Sequence, residues 1–93
     1  MATDPTFRMT VEDVFSIRGR GTVVTGKVES GMINVGDEIF LLGQTGPRKV
    51  TVSGLEMFKK IQNMAWPGDN VGVLLAEVTK DQVRRGDVLA GSE

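Results

Sequence analysis

The chain has 93 residues, a formal net charge of −1, 40% hydrophobic and 25% charged residues, and neither Cys nor His. That length fits one small domain with a single core, burying roughly 60–70% of the unfolded surface, and the near-zero charge gives no bulk attraction for duplex phosphates. Lack of Cys and His excludes disulfides, thiol nucleophiles, imidazole bases and Cys/His metal sites.

Twelve glycines against three prolines point to tight turns and an all-β domain. The predicted domain covers 7–91, with short tails at 1–6 and 92–93. The opening Met1-Ala2-Thr3-Asp4-Pro5 has no basic or apolar leader region, and every apolar run is too short to span a bilayer, so a cytoplasmic address without membrane contact is expected.

Residues 7–17 are rich in β-branched and aromatic types and read as one strand. The Gly19-Arg20-Gly21 turn separates it from a second strand over 22–29. A turn at Ser30-Gly31 leads to 32–35, and Gly36-Asp37 opens the apolar run 38–42. Residues 44–47 read as a loop, and 48–58 as a half-exposed strand in which Val50 and Val52 alternate with Thr51 and Ser53. Gly54 marks a bulge there. Residues 59–65 are mixed, Trp66-Pro67-Gly68-Asp69 is a turn, and 70–78 is a strand. Thr79 is placed to cap one helical turn over 79–85, before a last strand over 87–90.

Gly-Asp recurs at Gly36-Asp37, Gly68-Asp69 and Gly86-Asp87, each time just before apolar residues. The unequal intervals indicate turn chemistry, with glycine at positive φ and Asp bonding nearby backbone, rather than a repeat architecture. About six closely spaced strands, with no helix long enough to cross over a parallel sheet, predict a small closed antiparallel barrel of Greek-key type.

Two fragments invite an enzymatic reading. Gly21-Thr22-Val23-Val24-Thr25-Gly26-Lys27 matches most of a phosphate-binding loop, but Val28 stands where a Ser or Thr hydroxyl would ligate magnesium. Its T-V-V-T interior favours a strand, and no helix follows to offer its N-terminus to phosphate. Asp69-Asn70-Val71-Gly72 fits a loose D-x-x-G pattern that a turn-to-strand junction explains equally well. The adjacent carboxylates Glu12-Asp13 and Asp37-Glu38 point to opposite faces on a strand, so neither pair is expected to perform acid-base chemistry. No catalytic residue, metal or cofactor is expected.

The segment Glu12 to Gly31, E-D-V-F-S-I-R-G-R-G-T-V-V-T-G-K-V-E-S-G, closely resembles the second domain of elongation factor Tu and of related translational GTPases. The resemblance continues at Gly54-Leu55-Glu56-Met57-Phe58-Lys59-Lys60, at Gly68 to Leu75 and at Arg85 to Ala90. It implies a barrel that helps grip the acceptor end of aminoacyl-tRNA, while GTP and magnesium bind a first domain that this sequence lacks. Through the resemblance, Glu12, Asp13 and Asn70 match positions near the esterified amino acid, and Phe15 belongs to the same stretch. Ile17, Gly19, Arg20, Glu56 and Leu74 match positions that receive the terminal adenosine. A translational GTPase domain or a ribosome-associated protein is the implied partner. Trp66 departs from the family pattern and is expected to cover the barrel end, or else to stack near Asn70.

The residues themselves agree with that reading in part. On the strand after Asp69, Val71, Val73 and Leu75 share one face while Asn70, Gly72 and Leu74 share the other. With the valine face inward, Leu74 becomes an exposed apolar residue beside Asn70, a pairing suited to a splayed nucleotide; the plain alternative is rim packing by Ile17 and Leu74. Arg20 between two glycines can approach a ligand backbone closely, and Glu56 can accept a bond from a ribose hydroxyl. The alternative function, of a different class, is a freestanding protein-interaction barrel that has lost RNA binding.

Overall fold

The computed structural model describes residues 3–93; the first two residues of the expected tail lie outside the described residues. The strands are β1 (Arg8–Thr10), β2 (Asp13–Ile17), β3 (Gly21–Ser30), β4 (Ile33–Asn34) and β5 (Glu38–Gly43). They continue with β6 (Gly46–Met57), β7 (Lys60–Gln62), β8 (Met64–Ala65), β9 (Asn70–Ala76) and β10 (Val88–Ala90). A single 3-10 turn, Lys80–Gln82, lies between β9 and β10.

Six strands close on themselves in the order β1-β10-β5-β6-β9-β3, with β3 returning to β1, and every pairing is antiparallel. Closure removes the sheet edges that an open antiparallel sheet would present. Two further strands extend one side: β2 pairs only with β3, and β7 only with β6. Strands β4 and β8 form a separate ribbon, whose paired Ile33 and Ala65 are fully buried.

The interior is apolar and largely β-branched. Val24, Val52, Val73, Leu55, Leu75, Ile39 and Leu89 fill it from the barrel strands, with Phe7 and Met9 from the first segment. Along β9 the alternation is as the sequence predicts: Val71, Val73 and Leu75 face inward, and Asn70, Gly72 and Leu74 face outward. Thr22 is buried too, and its hydroxyl donates to the Val78 carbonyl at 2.6 Å.

The three Gly-Asp pairs build the same turn three times. Gly36, Gly68 and Gly86 have φ of 96°, 94° and 89°, and Asp37, Asp69 and Asp87 donate their N–H to the carbonyls of Asn34, Trp66 and Arg84, each at 3.1 Å. Each Asp side chain then accepts from the N–H of the same first residue, at 2.8, 2.9 and 2.9 Å. Positive φ at the third position is the type II signature, and Pro67 occupies the second position, which that turn favours. Each turn also clamps one buried valine. The Gly N–H donates to the valine carbonyl, and the Asp carbonyl accepts from the valine N–H, at Val52, Val28 and Val11 respectively.

The third clamp explains a departure from the sequence reading. The strand predicted over 7–17 is interrupted because Val11 turns to Gly86 and Asp87, while the Glu12 N–H turns to the Thr25 carbonyl at 2.8 Å. The chain therefore leaves the barrel after β1 and returns as β2. Elsewhere the expected loop at 44–47 narrows to Gln44-Thr45, since Gly43 already pairs with Gly46. The bulge beside Gly54 falls at Ser53, where the pairing with β9 shifts. The helical turn is 3-10; Gln82 accepts from the Thr79 N–H at 3.0 Å, whereas the Thr79 hydroxyl donates to Asp81.

Residues 4–6 are fastened to the barrel. Asp4 accepts from the Thr6 hydroxyl and N–H at 2.6 and 2.8 Å and from the Met32 N–H at 3.1 Å. These bonds hold its carboxyl below the usual range. No helix among the described residues is long and apolar enough to cross a membrane.

Candidate nucleotide-end groove

The two fragments that invite an enzymatic reading lie in regular strand structure. Residues 21–27 run along β3, paired with β2 and β9, so their N–H groups are committed to the sheet rather than cupped around an anion. Asp69 closes a turn and 70–72 begin β9.

Where β2 extends the sheet beyond the barrel, the outer faces of β2, β3, β9 and β6 form one shallow groove of about 400 Å³. Its pairing register is read directly across the sheet. Phe15 lies opposite Val23, Val23 opposite Leu74, and Leu74 opposite Gly54; one step along, Thr25 lies opposite Gly72 and Gly72 opposite Glu56. Gly72 leaves the floor as bare backbone, since a Cβ there would stand 3.2 Å from Val23 Cγ1. Phe15 forms one wall and is 48% exposed.

Of the residues matched through the family resemblance, Glu12, Phe15, Ile17, Glu56 and Asn70 line this groove. Arg20 reaches it from the β2–β3 loop, its Nη2 2.9 Å from Glu56 Oε1. Gly19 shapes that loop at φ 79° with open space around it. Two residues stand apart. Asp13 accepts from its neighbour, the Val14 N–H, at 2.9 Å and lies 3.6 Å from Arg85, so its carboxylate is drawn towards the Arg85 side. Leu74 is half-buried rather than exposed, packed where Gly54 leaves room: a Cβ on Gly54 would meet its side chain at 3.4 Å.

The structure adds residues that sequence reasoning does not single out. Val23, Thr25 and Gly72 complete the floor, and Met57, Phe58 and Lys59 form the wall opposite Phe15. Phe58 and Lys59 are the two central residues of the β6–β7 hairpin, at φ 53° and 62°. Such turns ordinarily take Asn-Gly or Asp-Gly, so an aromatic and a lysine there carry local strain, a feature that concentrates at functional sites. Phe58 is 86% exposed at the groove's edge. A signal existed only in the exclusion of Gly and Asn from a two-residue turn, which hides the hairpin in the sequence.

Trp66 follows β8, is 53% exposed and does not line the groove beside Asn70. A second crevice, of about 310 Å³, lies between the β5–β6 hairpin and the 3-10 turn, and it holds none of the matched residues.

The groove thus combines an apolar floor, two exposed aromatic side chains, two carboxylates, an amide and the cations Arg20 and Lys59 at its edge. That set can stack a base and hydrogen-bond a sugar or amino group, but it contains no base-nucleophile pair. A closed six-stranded antiparallel barrel with this outer face agrees with the comparison to known families: the model of elongation factor Tu domain 2 matches residues 21–90, and the chain belongs to that family of translation-factor β-barrels.

Proposed function

We propose that this barrel contributes to binding the acceptor end of aminoacyl-tRNA, as a non-catalytic second domain working beside a GTPase domain in the cytoplasm. The observation that carries the reading is the convergence of Glu12, Phe15, Ile17, Glu56 and Asn70 on one groove, with Arg20 at its edge. Phe15 and Phe58 offer faces for an unstacked base, and sequence-tolerant stacking of this kind contributes about 1–3 kcal/mol per base. Glu56 accepts from a ribose hydroxyl, while Glu12 and Asn70 face the esterified amino acid. GTP and magnesium belong to the GTPase domain, and the barrel holds neither.

The groove supplies one side of the ligand only, so the isolated barrel binds weakly. Titration of the isotope-labelled protein with an aminoacylated acceptor minihelix, its deacylated form and a single-stranded DNA tests the reading. Selective shifts at Glu56 and Asn70 with the charged RNA support it. No response to any of the three at millimolar concentration sinks autonomous binding and favours the protein-interaction reading, for which the exposed Met64 and Trp66 would be the first surface to test.

A further inference from the structure

The crevice of about 310 Å³ between the β5–β6 hairpin and the 3-10 turn lies apart from the groove, and two arginines line it. Arg48 has the same parity on β6 as the buried Val50 and Val52 and pairs with the buried Leu41, so it continues an inward row to the rim of the barrel. Its Nη2 donates to the Glu77 carbonyl at 3.2 Å, and Glu77 holds a left-handed φ of 59°. Arg84 belongs to the segment between the 3-10 turn and β10 and is exposed. The three ion pairs among the described residues engage Arg8, Arg20 and Arg85, so neither Arg48 nor Arg84 has a carboxylate partner.

Carboxylates are nevertheless close at hand. Asp81 and Asp87 line the same crevice, but each is turned to a donor of its own segment. Asp81 accepts from the Thr79 hydroxyl, a bond that holds its carboxyl below the usual range, and Asp87 Oδ2 accepts from the Arg84 N–H at 2.9 Å. Gly43 makes room for Asp87, since a Cβ there would stand 3.2 Å from Oδ2.

We propose that this crevice is a docking point for a partner protein, in which one Asp or Glu side chain of an extended segment pairs with Arg48 and Arg84. A guanidinium fork suits a planar carboxylate, to which it offers two parallel N–H bonds. Gln44, Thr45 and Gln82, all exposed, supply amides and a hydroxyl for the peptide backbone on either side. RNA fits the crevice less well. No aromatic side chain lines it, so an unstacked base finds no platform. The carboxylates of Asp81 and Asp87 repel the successive phosphates of a strand, while a single carboxylate beside two cations is tolerated. The site is independent of the acceptor-end reading.

Two blocked pentapeptides test it, one with a central glutamate between serines and one with glutamine in its place, together with an oligouridylate, each titrated into the isotope-labelled protein. The glutamate peptide is expected to give saturable millimolar-range shifts at Gln44, Thr45, Gln82 and the Arg84 Nε–H. It should bind roughly tenfold more tightly than the glutamine peptide, the scale of a hydrogen bond to a charged group. Arg84 is exposed and outside every ion pair, so Arg84→Gln leaves the amide spectrum elsewhere intact and removes that preference. Arg84→Lys, which keeps the charge without the fork, retains part of it. Equal shifts from both peptides overturn the proposal, as does a glutamate preference unchanged in Arg84→Gln. Absence of shifts from either peptide overturns it too. Oligouridylate moving these residues at a lower concentration than the glutamate peptide identifies an RNA-backbone contact in its place.

Discussion

Arg20 Nη2 lies 2.9 Å from Glu56 Oε1, and this one contact ties the loop that starts β3 to the outer face of β6 across an intervening strand. Both side chains are part-exposed, at 48% and 33%, so the pair contributes on the order of 0–1 kcal/mol to stability. Its importance lies in where it puts a carboxylate. Arg20→Ala should unfold within about 1 kcal/mol of wild type in urea; a larger loss would mean that the loop itself depends on the pair.

Gly72 separates fold from site. Its outward face is the floor of the groove, and a methyl there presses on Val23 Cγ1 at 3.2 Å. Gly72→Ala should hold stability within about 1 kcal/mol, because the backbone entropy gained offsets that contact. Gly72→Val should fill the floor and abolish minihelix binding in the same titration, with an unchanged fold by amide spectrum.

Glycines elsewhere answer differently. A Cβ at Gly26 would stand 2.4 Å from the Thr10 carbonyl oxygen, a backbone atom that cannot swing aside. Gly26→Ala should cost about 3 kcal/mol or more by denaturant midpoint, through forced overpacking. At Gly36 there is open space but φ is 96°, so Gly36→Ala should cost only about 1–2 kcal/mol, through left-handed strain alone.

The β6–β7 turn should trade stability against binding. Replacing Phe58-Lys59 with Asn-Gly relieves two non-glycine residues at positive φ and should raise stability by about 1 kcal/mol or more. The same change removes an aromatic face and a cation from the groove wall, and minihelix affinity should fall by roughly an order of magnitude. Thermal melts and titrations on one sample check both halves.

Asp4 supplies a pH dependence of fixed sign. Bonds from the Thr6 hydroxyl, the Thr6 N–H and the Met32 N–H lower its folded-state pKa below the usual carboxylate range. A depressed carboxyl contributes stability above its unfolded pKa, and that contribution is lost as pH falls through the folded value. Melting temperature against pH should therefore drop more steeply, as pH falls below the usual carboxylate range, in wild type than in Asp4→Asn. Equal slopes would show that the N-terminal clasp is not made in solution.

What the sequence reveals here follows the range of the interaction. The Gly-Asp turns are legible because their chemistry is local: a glycine at positive φ, an Asp bonding three residues back, and an apolar residue next. The inward valines of β9 are legible through alternation. The break after Val11 is not, because it is made by Gly86 and Asp87 from the far end of the chain. Arg85 likewise draws Asp13 aside, and no nearby residue predicts it. Family resemblance names Glu12, Phe15, Ile17, Glu56 and Asn70 in the groove, but not Phe58 and Lys59 as a tight turn, since neither residue carries the usual turn signature.

Residue-by-residue mapping of amide and side-chain shifts during titration with the aminoacylated minihelix tests the central claim most directly. The account predicts that the largest changes fall on Phe15, Glu56, Phe58, Asn70 and Gly72, while Gln44 and Thr45 at the β5–β6 hairpin, in the crevice apart from the groove, stay unmoved. Changes concentrated at Gln44, Thr45 and Arg84, or spread evenly over the surface cations, would contradict it.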